Sequence, residues 1–173
     1  MQYLDRGAFS ACLDTIEKDL KLSNTDGGFV GSAYLIGFVA ASMLFAQISQ
    51  RFQPLRFMAC ALIVWCLACV GSGFGYDFYT LCVARCCTGV GEAAFIILAP
   101  PFIDIAAPTE KRSEWLSIFY VAIPLGYAIG FVLGGKLLDA DMLGQHWTWR
   151  VIFMAESALC LPGARARVLF VAS

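Results

Sequence analysis

Arg85 and Glu92 are the two charged side chains in "LCVARCCTGVGEAAF", a stretch that is otherwise mostly small and apolar. A charge deep in apolar surroundings is costly unless it meets water, the interior of a helix bundle or an opposite charge. Seven positions along an α-helix make two turns less about 20°, which puts both residues on one face, roughly 10 Å apart along the axis. One polar seam would then satisfy both, and Gly89 and Gly91 between them let another helix come close. Such a pair suits a substrate or proton site, or a buried ion pair that fixes helix packing. Asp5 and Arg6 form a second constellation at the edge of an apolar segment. They read as an interfacial pair or, within a longer first membrane helix, as a pair facing Arg85 and Glu92 across the bundle.

The elements that must carry these residues are apolar and long. The 173 residues are 60% hydrophobic and 14% charged, with a mean hydropathy of +0.72. Soluble domains average about 45–50% apolar and about 25% charged. The excess comes in blocks: Gly27 to Ile48, Phe57 to Tyr76 and Trp115 to Gly135 each run without a charge. At 1.5 Å rise per residue, blocks of this length reach roughly 30 Å, the hydrocarbon thickness of a bilayer. The expected fold is therefore all-α, a polytopic membrane helix bundle forming a single transmembrane domain over 1–173. Its spans fall near 27–48, 57–76, 78–103 and 115–135. Residues 1–16 form a partial first span and 151–161 a partial last one, ended by Pro162-Gly163.

A net charge of −1 without a basic tail excludes nucleic acid as a partner. The eight cysteines sit mainly inside the apolar blocks and read as small hydrophobes. Cys66 and Cys69 are formally a C-x-x-C, yet they lie in a membrane run and the single His146 completes no metal spacing. No metal, no cofactor and no enzymatic activity are expected. Gly89-Val90-Gly91-Glu92-Ala93-Ala94 fits a dinucleotide fingerprint, but that motif needs a strand ending at its glycines, and here the apolar run passes straight through. Gly126, Gly130 and Gly134 recur every four residues and predict a close helix-packing face. Pro124 is placed to kink the same helix. Four basic residues flank each side of the expected membrane (Arg51, Arg56, Lys111 and Arg112 against Lys18, Lys21, Lys136 and Arg150), so charge alone leaves the orientation open.

Taken together these motifs resemble the major facilitator superfamily. "LCVARCCTGVG" is similar to the fourth-helix pattern L-x-x-x-R-x-x-x-G-x-G of its proton-coupled carriers. "YLDR" resembles the N-Y-x-D-R opening of the first helix, with Gln2 where Asn is usual. With "GVGEAAF" and "PTEKRSEWLSIFYVAIPLG", the resemblance is to the Spinster-like branch, from about Gln2 to Trp149. R-x-x-x-G-x-GEA by itself also occurs in the anion:cation symporter branch, whose members carry sugar acids and other small organic anions.

The resemblance implies the six-helix N-terminal half of a twelve-helix carrier working by alternating access. By position, Asp5 falls on the first-helix carboxylate of proton coupling, Arg6 beside it, and Arg85 and Glu92 on the pair lining the central cavity. It implies the bilayer, protons and a sphingolipid or lysophospholipid substrate as partners, in an endosomal, lysosomal or plasma membrane. The link between the second and third helices departs from the family's conformational latch: Ala46, Gln50, Pro54 and Leu55 replace its usual residues, leaving Arg51 as a remnant. That link and 104–114 would be cytoplasmic. The ending "LCLPGARARVLFVAS" does not continue the family pattern, which implies a missing C-terminal half, and a chain of this extent alone would be a non-transporting membrane fragment.

Overall fold

A computed structural model describes residues 2–48, 53–140 and 145–172, with side chains described up to Cys160 except those of 145 and 146. Every regular element among them is helical: α1 Gln2–Leu20, α2 Asn24–Ile48, α3 Pro54–Gly73, α4 Phe78–Ala106, α5 Arg112–Asp139 and α6 Gln145–Ala172, with one 3-10 turn at Thr109–Lys111. The helix of Asn24–Ile48, that of Pro54–Gly73, that of Phe78–Ala106 and the segment Thr109–Asp139 are long and apolar enough to cross a membrane.

Local chemistry sets the boundaries. Ser23 and Asp26 cap α2 reciprocally: the Asp26 N–H donates to Ser23 Oγ at 3.2 Å, and the Ser23 N–H donates to Asp26 Oδ2 at 3.0 Å. Pro54 opens α3, where its missing N–H costs nothing. The Asp77 N–H donates to Thr80 Oγ1 at 3.1 Å at the head of α4. At the end of α1 the chain turns through Lys21, whose φ is 52°, and the Leu22 N–H closes onto the Glu17 carbonyl at 2.9 Å.

The first and last helices run well past the ends that hydropathy suggests. The first continues beyond residue 16 to Leu20, because its later charges are satisfied: Lys18 pairs with Asp14 at 2.6 Å on the exposed face, and Asp19 meets Arg150 on the inner one. The last does not stop at 161. Its backbone continues through Pro162 and Gly163 to Ala172, since a proline removes one helical hydrogen bond without obliging the chain to leave the helix. Pro100 and Pro101 are likewise accommodated inside α4, and Pro124 inside α5. Arg51 lies outside the described residues.

The helices pair through small residues. At Gly89 a Cβ would collide with the Tyr34 carbonyl of α2, and at Gly37 with the Cys86 carbonyl of α4, so these two backbones touch. Gly91 faces Trp65 and Ala61 of α3 instead. Three of the four glycines of α5 face α1: Gly126 meets Tyr3, Gly130 the Leu4 carbonyl and Gly134 Ala8. The outward faces of α2 and α5, with Ile36, Met43, Ile118 and Val121, remain apolar and exposed, as expected of helices surrounded by lipid or by further helices.

Two core clusters hold α6 in the bundle. One joins Phe9, Cys12 and Ile16 of α1 to Val30, Leu81, Trp149 and Phe153. The other joins Trp65 and Cys69 of α3 to Cys160 of α6. Arg150, expected at the membrane flank, lies on α6 and fastens it. Its guanidinium is 3.5 Å from Asp19 Oδ2, donates to the Gly73 carbonyl at 3.3 Å and stacks over Tyr76 and Trp149 at 4.7 and 4.4 Å. Trp149 Nε1 donates to the same Asp19 oxygen at 3.1 Å. This knot ties α6 to α1 and α3.

Candidate functional site

Asp5 and Arg6 are consecutive on α1 and therefore point about 100° apart. That divergence sorts the four charges into two pairs. Asp5 turns towards α4 and accepts from Arg85 Nη1 at 3.0 Å, with side-chain exposures of 1% and 2%. Arg6 turns towards α2 and lies 3.8 Å from Glu92 Oε1; it is 34% exposed where Glu92 is 1% exposed. The two turns between Arg85 and Glu92 keep the pairs apart along α4.

Of the arrangements the spacing leaves open, the structure has Asp5 and Arg6 facing Arg85 and Glu92 across the bundle. Arg85 and Glu92 share a face of α4, but the cation beside Glu92 is Arg6, and the anion on Arg85 is Asp5. Protonating Glu92 would thus act first on Arg6 and only indirectly on Arg85.

Aromatic rings complete both pairs. The Tyr34 hydroxyl donates to Glu92 Oε2 at 2.7 Å, and the Arg6 guanidinium lies over the Tyr34 ring at 4.4 Å. Arg85 is held between the faces of Phe9 and Phe153, at 4.1 and 4.4 Å. Ring faces attract a desolvated guanidinium and shield it from water. Arg85 Nε and Nη2 have no hydrogen-bond partner among the described residues. A cleft of about 220 Å³, lined by Arg6, Phe9, Ser10, Tyr34, Arg85 and Tyr127, opens beside the two cations.

Sequence reasoning missed Tyr34 and Glu156. Tyr34 gives little signal, being one phenol in an uncharged run. Glu156 carries the same signal that singled out Arg85 and Glu92, a lone charge in an apolar stretch, "VIFMAESALCL". It projects from α6 into the bundle, 5% exposed, one helical turn beyond Phe153, whose ring packs on the Arg85 that Asp5 holds. The orientation of Phe9 and Phe153 towards Arg85 has no sequence signature.

Fold and site together define an integral, multi-pass membrane protein whose first, second, fourth and sixth helices converge on a buried set of paired charges. The family model for the Major Facilitator Superfamily matches residues 1–172. Among curated relatives, the "Probable sphingolipid transporter spinster homolog 2" of Arabidopsis thaliana is 37% identical over 95% of this chain and 36% of its own length. The sphingosine-1-phosphate transporter of Danio rerio is 31% identical over 86% of this chain and 29% of its own. A crystal structure of a bacterial homolog of the human lysosomal transporter Spinster, inward-facing and unoccupied, superposes with a TM-score of 0.86 at 18% identity, over 97% of this chain and 40% of that one. The chain belongs to the Major Facilitator Superfamily, in its Spinster-like branch, and carries the N-terminal half of that fold. It spans about a third of the length of the curated relatives it matches.

Proposed function

We propose that these helices serve a proton-coupled carrier that moves a lipid-like anion, of the sphingolipid or lysophospholipid class, by alternating access. The observation that carries the reading is the pair of crossed ion contacts, the buried Asp5–Arg85 and the half-buried Arg6–Glu92, beside a cleft lined by both cations and by aromatic rings. An amphiphile with an anionic head and an acyl tail suits such a cleft. Its phosphate would take the N–H groups of Nε and Nη2 that Arg85 leaves unspent, and its tail would lie on Phe9 and Tyr127. Relatives named for sphingolipid and sphingosine-1-phosphate transport support that class of substrate.

Coupling follows from competition. A substrate anion and the Asp5 carboxylate seek the same guanidinium, and a proton on Asp5 would release Arg85 to the substrate. A proton on Glu92 would free Arg6 in the same way. Binding energy that differs between the two protonation states can bias one conformation over the other.

The test uses the full-length protein in proteoliposomes with an imposed pH gradient, offered a sphingoid phosphate, a lysophospholipid and gluconate in parallel. Proton-driven movement of a lipid is expected, with loss of the gradient dependence in Asp5→Asn and Glu92→Gln. Unchanged pH dependence in both variants would sink the coupling, and movement of gluconate without either lipid would sink the substrate class.

A further inference from the structure

The buried charges do not balance as drawn. Arg6 and Glu92 cancel, as do Arg150 and Asp19, but Arg85 stands against both Asp5 and Glu156. With every carboxyl ionised, the cluster around Arg85 would hold one negative charge in excess, sealed from solvent. Two carboxylates at such range repel, and an uncompensated buried charge is severely unfavourable.

The hydrogen bonds point the same way. Neither oxygen of Glu156 and not Asp5 Oδ1 receives an N–H or O–H from any described residue, although Glu156 stands one helical turn beyond Phe153, whose ring packs on the Arg85 that Asp5 holds. Between two carboxylates no hydrogen bond exists, because neither has a hydrogen to give. One added proton supplies the missing donor, satisfies an orphaned oxygen on the partner, and brings the cluster with Arg85 to neutrality.

We infer that Asp5 and Glu156 form an acid–carboxylate pair that binds a single proton between α1 and α6, with Arg85 as its counter-cation. The groups around it fit that role. Cys12 of α1 and Cys69 of α3 are buried thiols beside the pair, Arg85 approaches from α4, and Glu92 sits two turns further along that helix. The contact of α5 with this region is apolar, through Leu138. Losing the proton restores the repulsion between α1 and α6, so the site links protonation to how closely these helices pack. The inference deepens the proton-coupling reading by adding a carboxyl from α6 to it, and its test does not depend on transport.

Infrared spectroscopy of the full-length protein in lipid, in H₂O and D₂O at neutral pH, reads the pair directly. A protonated carboxyl gives a C=O stretch that shifts down on deuteration. One such band is expected to disappear in Glu156→Gln and also in Asp5→Asn, which leaves Glu156 alone with Arg85 and therefore ionised. The band is expected to persist in Glu92→Gln and in Glu156→Asp. Either of the first two variants suffices if the other does not fold. A band that survives in a folded Glu156→Gln or Asp5→Asn protein, or that is lost only with Glu92, overturns the assignment, even if proton-coupled transport itself is intact.

Discussion

Arg85 Nη1 and Asp5 Oδ2 lie 3.0 Å apart, eighty positions distant in the chain, with both side chains all but sealed from solvent. Burying an ion pair is a poor route to stability, but removing one member of it is costly, because the other remains unpaired. Arg85→Met is therefore expected to destabilise the helical bundle by about 3–5 kcal/mol. Adding Asp5→Asn to Arg85→Met should restore part of that loss. Denaturant titration of the single and double variants in detergent micelles checks it, and a double variant no better than the single one would contradict the pairing.

Gly89 and Gly28 make a matched comparison on neighbouring helices. A Cβ at Gly89 meets the Tyr34 carbonyl and the Phe38 nitrogen, both backbone atoms that cannot swing aside, whereas nothing lies within 4 Å of one at Gly28. Gly89→Ala should force α2 and α4 apart and cost about 1–3 kcal/mol, as overpacked sites do. Gly28→Ala should be neutral or stabilising by up to about 1 kcal/mol, the helix-propensity difference. Thermal melts of both variants decide it, and equal effects would mean that the close contact carries no weight.

Tyr34→Phe keeps the ring under Arg6 and deletes the hydroxyl that donates to Glu92 at 2.7 Å. A buried carboxylate that loses a donor costs about 1–3 kcal/mol. Glu92→Gln, which still presents an oxygen to Tyr34, should cost less. The order of the two melting temperatures, Tyr34→Phe below Glu92→Gln, is the measurement.

Lys21 holds a left-handed backbone at the end of α1, with φ at 52°. A residue with a Cβ pays roughly 1–2 kcal/mol for that conformation, and glycine does not. Lys21→Gly should raise stability by about 0.5–1 kcal/mol once the greater freedom of glycine in the unfolded chain is set against it. A lowered melting temperature would contradict the turn geometry.

The helical membrane architecture was legible in the sequence because hydropathy is a local property. Apolar blocks with few breaks predict helices of bilayer length, and the helices of Asn24–Ile48, Pro54–Gly73, Phe78–Ala106 and Arg112–Asp139 contain most of those blocks. The fixed period of the α-helix also placed Arg85 with Glu92, and Gly126 with Gly130 and Gly134, on common faces. Where local signals mislead is at the ends. Pro162-Gly163 breaks the hydropathy of the last run but not its backbone, and the charges after residue 16 end the apolar pattern but not α1.

What the sequence by itself determined, then, is which helices form and which of their faces carry charge. Partners were decided only by the tertiary structure. The 100° between Asp5 and Arg6 gave each a different neighbour, so Glu92 met Arg6 and Tyr34 while Arg85 met Asp5. The approach of α6 then set Phe153 on Arg85 and buried Glu156 one turn beyond it. Pairing depends on how helices far apart in the chain are rotated and stacked, and backbone contacts at glycines such as Gly37 and Gly89 fix that rotation. No spacing along one segment encodes it.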